Sequence, residues 1–239
     1  MVLKEWVQSK VASQIVKRVA PYFSGGGVEL RVLVDLKITE DFTQEINEGL
    51  KAFAGIIKKV RIEQVNVSKC WNQQRKQYDL AGLVNEKRNT LTLYVLKEDI
   101  YVKPLNWAYG ITSPITGFSA VSIARFSNSE ITKNFKMVFT EQETRETLVL
   151  EIRHEVGHLM GLKDHPEGQH VGNCTMNQTM HMETPDRTRP QESVGSFNNE
   201  CVTCFCDECA AWITRFSSDI KQGKLEGYSE RLAKLLLGS

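Results

Sequence analysis

The 239-residue sequence predicts an α/β (α+β) fold, with a mixed, twisted sheet, an antiparallel edge strand, one long helix and a smaller C-terminal subdomain. Three observations carry that expectation. Apolar residues alternate with a period of two over 28–38 and 59–67 and take helical spacing between them, an order that implies a parallel crossover. Further β-rich runs at 90–96 and 118–126 extend the sheet. The chain holds five histidines and six cysteines, and all but Cys70 fall between His154 and Cys209.

Taken in order, Trp6, Val7, Val11, Ile15, Val16 and Val19 give residues 1–24 an amphipathic helix with Lys4, Lys10, Lys17 and Arg18 outward. Ser24–Gly27 is a flexible joint. Val32, Val34, Leu36 and Ile38 then share one strand face, and Phe42, Ile46, Leu50, Phe53 and Ile57 place a helix over 40–57. Val60, Ile62, Val65 and Val67 return to strand. Residues 70–86 read as helical through Trp71, Tyr78 and Leu83, and 90–96 read as a third strand. A loop with Pro104, Gly110, Pro114 and Gly117 follows, without a second crossover helix, so the strand at 118–126 is expected at an antiparallel edge.

Thr140 and Glu143 form a capping box, and Leu148, Ile152, Val156 and Leu159 mark the buried stripe of the helix that ends at Gly161. From His165 to Glu200 the chain is polar and broken by prolines and glycines, which a compact domain tolerates if a metal pins it. Helices over 207–220 and 228–237 close the chain. The expected division is a helix at 1–24, a subdomain at 28–161 ending in the long helix, and a subdomain at 162–239.

A 41% hydrophobic content is enough to build a core. Thirty basic residues against twenty-nine acidic ones leave a net charge of +1, so no broad field draws the chain onto nucleic acid or anionic membrane. A peptide or small molecule is the expected partner. Residues 1–23 lack the apolar core of a signal peptide and no later run reaches membrane-spanning length. A soluble, cytoplasmic chain is expected, and the oligomeric state is not legible.

The most informative run is His154-Glu155-Val-Gly-His158-Leu-Met-Gly161-Leu-Lys-Asp164. Two histidines four apart on a helix present both imidazoles to one ion, and a glutamate beside the first can act on water at that ion. Zinc held by three protein ligands keeps a position open and acidifies water there to a pKa of about 7. Glu155 is the expected general base, which accepts a proton and then delivers it to the leaving amine. Gly161 can turn the chain back through a left-handed conformation, making Asp164 the candidate third ligand; this spacing separates the metzincin pattern from a bare H-E-x-x-H.

The chain resembles the archaemetzincins, a metzincin subfamily in which a second zinc lies close to the catalytic one. The likeness is carried by Asp99-Ile-Tyr101, Leu105-Asn-Trp-Ala-Tyr-Gly110, Ala120-Val-Ser-Ile-Ala-Arg125, Cys174-Thr-Met176 and Phe205-Cys-Asp-Glu-Cys209. It covers roughly residues 28–215 and implies a metzincin-like fold, a zinc metallopeptidase activity and two zinc ions, one catalytic and one structural. It also implies that Met176 is the floor beneath the zinc, the methionine turn. The strand around Ala120, Val121 and Ser122 would be the upper rim that pairs with an extended peptide substrate.

Where the family has histidine followed by cysteine, this sequence has Asp164 followed by His165. A carboxylate lowers the charge of the site by one, so a higher pH optimum is expected than for three histidines. His165 would replace the missing cysteine in the second zinc site, beside Cys174 and the pair Cys206 and Cys209. Alternatively His165 is the third catalytic ligand, with Asp164 supporting it. Cys201 and Cys204 are the other candidate pair, and the four clustered cysteines could hold a separate zinc or an iron–sulfur cluster. A second class of reading makes the cysteine-rich tail a zinc-stabilised interaction module, with nucleic acid the less expected partner at this charge.

Overall fold

A computed structural model describes residues 2–127, 129–134, 138–165, 174–177 and 205–237, with residues 2–9 as helical backbone only. Cys201, Cys204 and most of the polar stretch after His165 lie outside the described residues. The main sheet has five strands: β1 (Val28–Asp35), β2 (Ile57–Val65), β5 (Leu91–Leu96), β7 (Gly110–Ser113) and β8 (Phe118–Ser122). Their order is β2-β1-β5-β8-β7, parallel throughout except for the antiparallel pair β7–β8. β5 is buried along its whole length, as expected of a parallel strand covered on both faces.

The first crossover matches the sequence pattern, with α2 (Thr43–Leu50) between β1 and β2. The helix is shorter than the 40–57 expected. A 3-10 turn takes Lys51–Phe53, and Ile57 opens β2 rather than closing the helix.

Two further expectations are corrected. Residues 70–86 are not one helix but the hairpin β3 (Trp71–Asn72) and β4 (Gln77–Asp79), followed by the short α3 (Ala81–Asn85). Asn72 Oδ1 accepts the backbone N–H groups of Gln74 and Arg75, an Asx-type turn that competes with helix, and Lys76 completes it at φ 53°. Trp71 and Tyr78, spaced seven apart as on a helix, are instead cross-strand partners with rings edge to face at 5.7 Å. β4 pairs with β6 (Ile100–Tyr101) to complete a small second sheet.

The other correction concerns the sheet edge. β8 is an internal strand, parallel to β5 on one side and paired with β7 on the other. Ala120, Val121 and Ser122 are completely buried, and with both edges of their strand occupied they cannot pair with a substrate. The antiparallel edge is β7, which the sequence hides because it is four residues long, starts with glycine and sits in a proline- and glycine-rich stretch. Gly117, at φ 65°, turns the chain from β7 into β8, so a hairpin makes the return that a crossover helix would have made.

The short α4 (Glu130–Asn134) precedes the long helix α5 (Glu141–Leu159). Thr140 and Glu143 close its capping box reciprocally, and Leu148, Ile152, Val156 and Leu159 are all fully buried in the core with the sheet. The far end is held by α6 (Asp207–Lys221) and α7 (Glu226–Leu237). Tyr228 Oη donates to Leu159 O at 2.6 Å, Trp212 Nε1 to Met160 O at 2.8 Å and Arg231 Nε to Gly161 O at 2.7 Å. Three carbonyls that a helix terminus leaves without partners are thereby satisfied by the closing helices. The N-terminal helix α1 (Val2–Val19) packs against α7, and no described helix is long and apolar enough to cross a membrane.

Candidate active site

His154 and His158 occupy successive turns of α5, and Gly161, at φ 83°, brings Asp164 back to them. The three ligand-type atoms form a small triangle. His154 Nε2 and His158 Nε2 are 3.1 Å apart, and Asp164 Oδ1 is 3.3 and 3.4 Å from them. Tetrahedral zinc with bonds of about 2.0–2.1 Å requires edges of about 3.3–3.4 Å, so these residues fit the ion. Each imidazole is also fixed in tautomer. His154 Nδ1 faces Thr175 O at 2.8 Å and His158 Nδ1 faces Leu162 O at 3.0 Å; a carbonyl only accepts, so each Nδ1 donates and each Nε2 turns its lone pair into the triangle.

The pocket stabilises positive charge. Burial alone would push the His158 imidazole down, but with no ion bound the hydrogen bond to Asp164 and the charges of Glu155 and Asp164 raise it to about 9, so a metal ion there takes the place of a proton on Nε2. The Asp164 side chain is 40% exposed, against 14% and 22% for the two histidines, so the cluster opens to solvent on the carboxylate side. Below it, a Cβ on Gly157 would lie 2.7 Å from Met176 Sδ. The fully buried methionine therefore rests against the helix between the two histidines, where the expected floor would be.

Glu155 is 5% exposed and points toward the edge strand. Its Oε2 accepts from Thr112 Oγ1 at 2.5 Å, a length typical of a charge-assisted hydrogen bond. One turn earlier on the same helix, Glu151 is buried to the same degree. Desolvation, reinforced by the charge of Glu155 and opposed by His158, lifts the Glu151 carboxyl to about 8.

A second cluster adjoins the first through the chain itself. His165 Nε2 lies 3.3 Å from Cys174 Sγ, 3.4 Å from Cys206 Sγ and 3.6 Å from Cys209 Sγ, and the sulfurs of Cys174 and Cys209 are 3.9 Å apart. A tetrahedral zinc with one nitrogen and three sulfurs needs edges of about 3.6 and 3.8 Å, so this set also fits. The Cys209 thiol donates to Cys174, and the backbone N–H groups of Cys206 and Met176 add to it, holding Cys174 below the usual thiol range. A thiolate is the form that binds metal.

The structure thus brings His154, His158 and Asp164 together, and separately His165, Cys174, Cys206 and Cys209. His165 Nε2 lies among the sulfurs rather than with the first triangle. Sequence reasoning missed Thr112, Gly110 and the carbonyls of Leu162 and Thr175. Only the turn at Gly161 signals one of these, since it returns Leu162 to His158.

Two histidines and a carboxylate on this α/β scaffold, with a buried glutamate beside the first histidine, define a class of enzyme, the zinc metallopeptidases. Comparison with known proteins narrows the class. The model of Peptidase family M54 matches residues 2–215, and the chain belongs to that family, the archaemetzincins. It is 28% identical over 146 residues to the archaemetzincin of Archaeoglobus fulgidus, covering 61% of this chain and 74% of that relative. The crystal structure of archaemetzincin from Methanopyrus kandleri superposes with a TM-score of 0.55 at 21% identity, over 82% of this chain and 98% of that one. The Archaeoglobus fulgidus structure, complexed with malonate, gives a TM-score of 0.52 at 24% identity, over 77% and 99%. A zinc-dependent peptidase from Methanocorpusculum labreanum gives 0.54 at 18%, over the same shares. The chain is therefore a zinc metallopeptidase acting on peptide or protein substrates.

Proposed function

We propose that this peptidase cleaves peptide bonds with Glu155 as general base and with His154, His158 and Asp164 as ligands of the catalytic zinc. The observation that carries the reading is the triangle of ligand atoms at 3.1–3.4 Å, with both Nδ1 atoms committed to carbonyls. A bound zinc ion supplies Lewis acidity at the scissile carbonyl and a nucleophilic water near neutral pH. The chain supplies the rest. Glu155 takes the proton of the attacking water and returns it to the leaving amine. The carbonyls of Thr175 and Leu162 hold the imidazoles in orientation, and Met176 keeps the underside dry.

An extended substrate aligns along β7, whose edge away from β8 offers main-chain hydrogen bonds. His165, Cys174, Cys206 and Cys209 hold a second, structural zinc that fixes the turn after Asp164. Free thiols at these positions suit a reducing compartment, and we place the chain in the cytoplasm on that ground.

A digest of a proteome-derived peptide library by the zinc-loaded chain and its Glu155→Ala variant tests this. Cleavage by the first and its loss, by at least about a hundredfold, in the second is the expected result. No Glu155-dependent cleavage between mildly acidic and alkaline pH would overturn it. Metal analysis of the same sample is expected to give two zinc ions per chain.

A further inference from the structure

The edge strand does more than border the cleft. Gly110 and Thr112 lie two residues apart and so share one face of β7, and both meet Glu155. A Cβ on Gly110 would lie 2.2 Å from Glu155 Oε1 and 2.4 Å from Cδ and Cγ, so the absent side chain is the space the carboxylate occupies. Thr112 Oγ1 donates to Glu155 Oε2 at 2.5 Å, is 3.2 Å from the Glu155 carbonyl, and lies 2.9 Å from Ser119 Oγ across the β7–β8 pair.

The direction of this chain of hydroxyls follows from valence. An ionised carboxylate cannot donate, so the single Thr112 proton goes to Glu155 and Ser119, which is fully buried, donates to Thr112. One carboxylate oxygen is thereby tethered, which leaves Oε1, above Gly110, as the oxygen to receive a proton.

The strand register gives Thr112 a second connection. Ser122 N donates to Tyr109 O at 2.8 Å, and in an antiparallel pair main-chain groups alternate in direction. Tyr109, Ile111 and Ser113 therefore turn toward β8, while Gly110 and Thr112 turn their N–H and C=O groups away from it, to the side an added strand would meet.

We propose that Thr112 is a positioning residue that locks the Glu155 carboxylate in a single rotamer and ties its orientation to a substrate strand docked on Thr112's own backbone. The proposal rests on the reading of Glu155 as general base and β7 as the substrate edge.

It is tested in the zinc-loaded full chain with Thr112→Val, which keeps the shape and removes the hydroxyl, and Thr112→Ser, which restores the hydroxyl. Thr112→Val is expected to lower kcat about 10- to 100-fold, the range for a lost hydrogen bond to a charged group, with KM changed less than about threefold. Thr112→Ser is expected to recover most of kcat. Independently of turnover, infrared spectra of chains labelled with 13C-glutamate, taken as differences against Glu155→Gln, isolate the Glu155 carboxylate. Its antisymmetric stretch is expected to rise in frequency in Thr112→Val and to stay in place in Thr112→Ser.

An unshifted band in Thr112→Val, or kcat lost equally in both variants, would overturn the proposal. Absence of any Glu155-dependent cleavage by the wild-type chain would instead sink the peptidase mechanism, and the infrared band would still decide whether Thr112 holds Glu155.

Discussion

Glu151 and Glu155 stand one helical turn apart, and Glu155 is the one hydrogen-bonded to the edge strand through Thr112. Glu151 is buried and faces the charges of Glu155, which raises its pKa further, and His158, which opposes the rise. Its carboxyl titrates near 8 in the folded chain, against about 4.3 in an unfolded one. Below the lower value both states are protonated and the group contributes nothing. Between the two values the unfolded chain ionises while the folded chain does not, so stability falls with rising pH, and above about 8 the loss is complete. Glu151→Gln keeps the neutral form at every pH. Its melting temperature is expected to match the wild type near pH 4.5 and to exceed it by roughly 5–10 °C at pH 9, as measured by differential scanning calorimetry. An advantage that did not grow with pH would show that Glu151 is not the buried acid described. At this scale His154, Glu155, His158 and Asp164 were legible in the sequence, because helical spacing and one glycine turn determine their meeting. Thr112 and Thr175 were not, since they meet Glu155 and His154 across 43 and 21 residues.

Among the elements, α5 is the one on which the site depends, and its two ends are secured differently. The N-terminal capping box is local and was read from Thr140 and Glu143. The C-terminal end is held by Trp212, Tyr228 and Arg231, more than fifty residues downstream, which no local pattern announces. Tyr228→Phe removes the donor to a buried carbonyl while keeping the ring that stacks on Phe216 at 4.6 Å. A loss of about 1–3 kcal/mol is expected, seen as a fall of about 3–10 °C in melting temperature with weaker zinc retention at the His154 site. Unchanged metal affinity would mean that the helix end does not need this brace. Elsewhere β5 was legible because burial on both faces leaves a continuous apolar run, and β1 and β2 because their apolar residues alternate. β7 was not, because an edge strand of four residues carries no periodicity to count.

Across the whole molecule, the two ends of the chain meet behind the site. Phe23 packs edge to face with Phe216 at 5.2 Å and with Tyr228 at 5.1 Å, so the N-terminal segment supports the same tyrosine that caps α5. The contacts cross the division at 1–24, 28–161 and 162–239 that the sequence suggested. The near-neutral composition appears as ion pairs both exposed, as in Arg31–Glu63, and partly buried, as in Arg145–Glu45. With a net charge of only +1, no long-range field is available to steer a substrate, which is consistent with the proposed main-chain pairing at β7.

Four residues, Cys174 to Asn177, link the two clusters. Cys174 offers its sulfur to one, Thr175 O orients His154 in the other, Met176 underlies the helix and accepts the His165 N–H at 2.8 Å. A segment ordered by one ion is already ordered for the next, and any gain in affinity must then be mutual and equal in both directions. Cys206→Ser is expected to weaken zinc at the His154 site by roughly 5- to 100-fold, and Asp164→Ala to weaken the cysteine site by a similar factor, in competition titrations with a chromophoric chelator. At limiting zinc, native mass spectrometry is expected to find empty and doubly loaded chains with few singly loaded ones. Scarcity of the metal would then switch off a fraction of the molecules outright and leave the others at full activity.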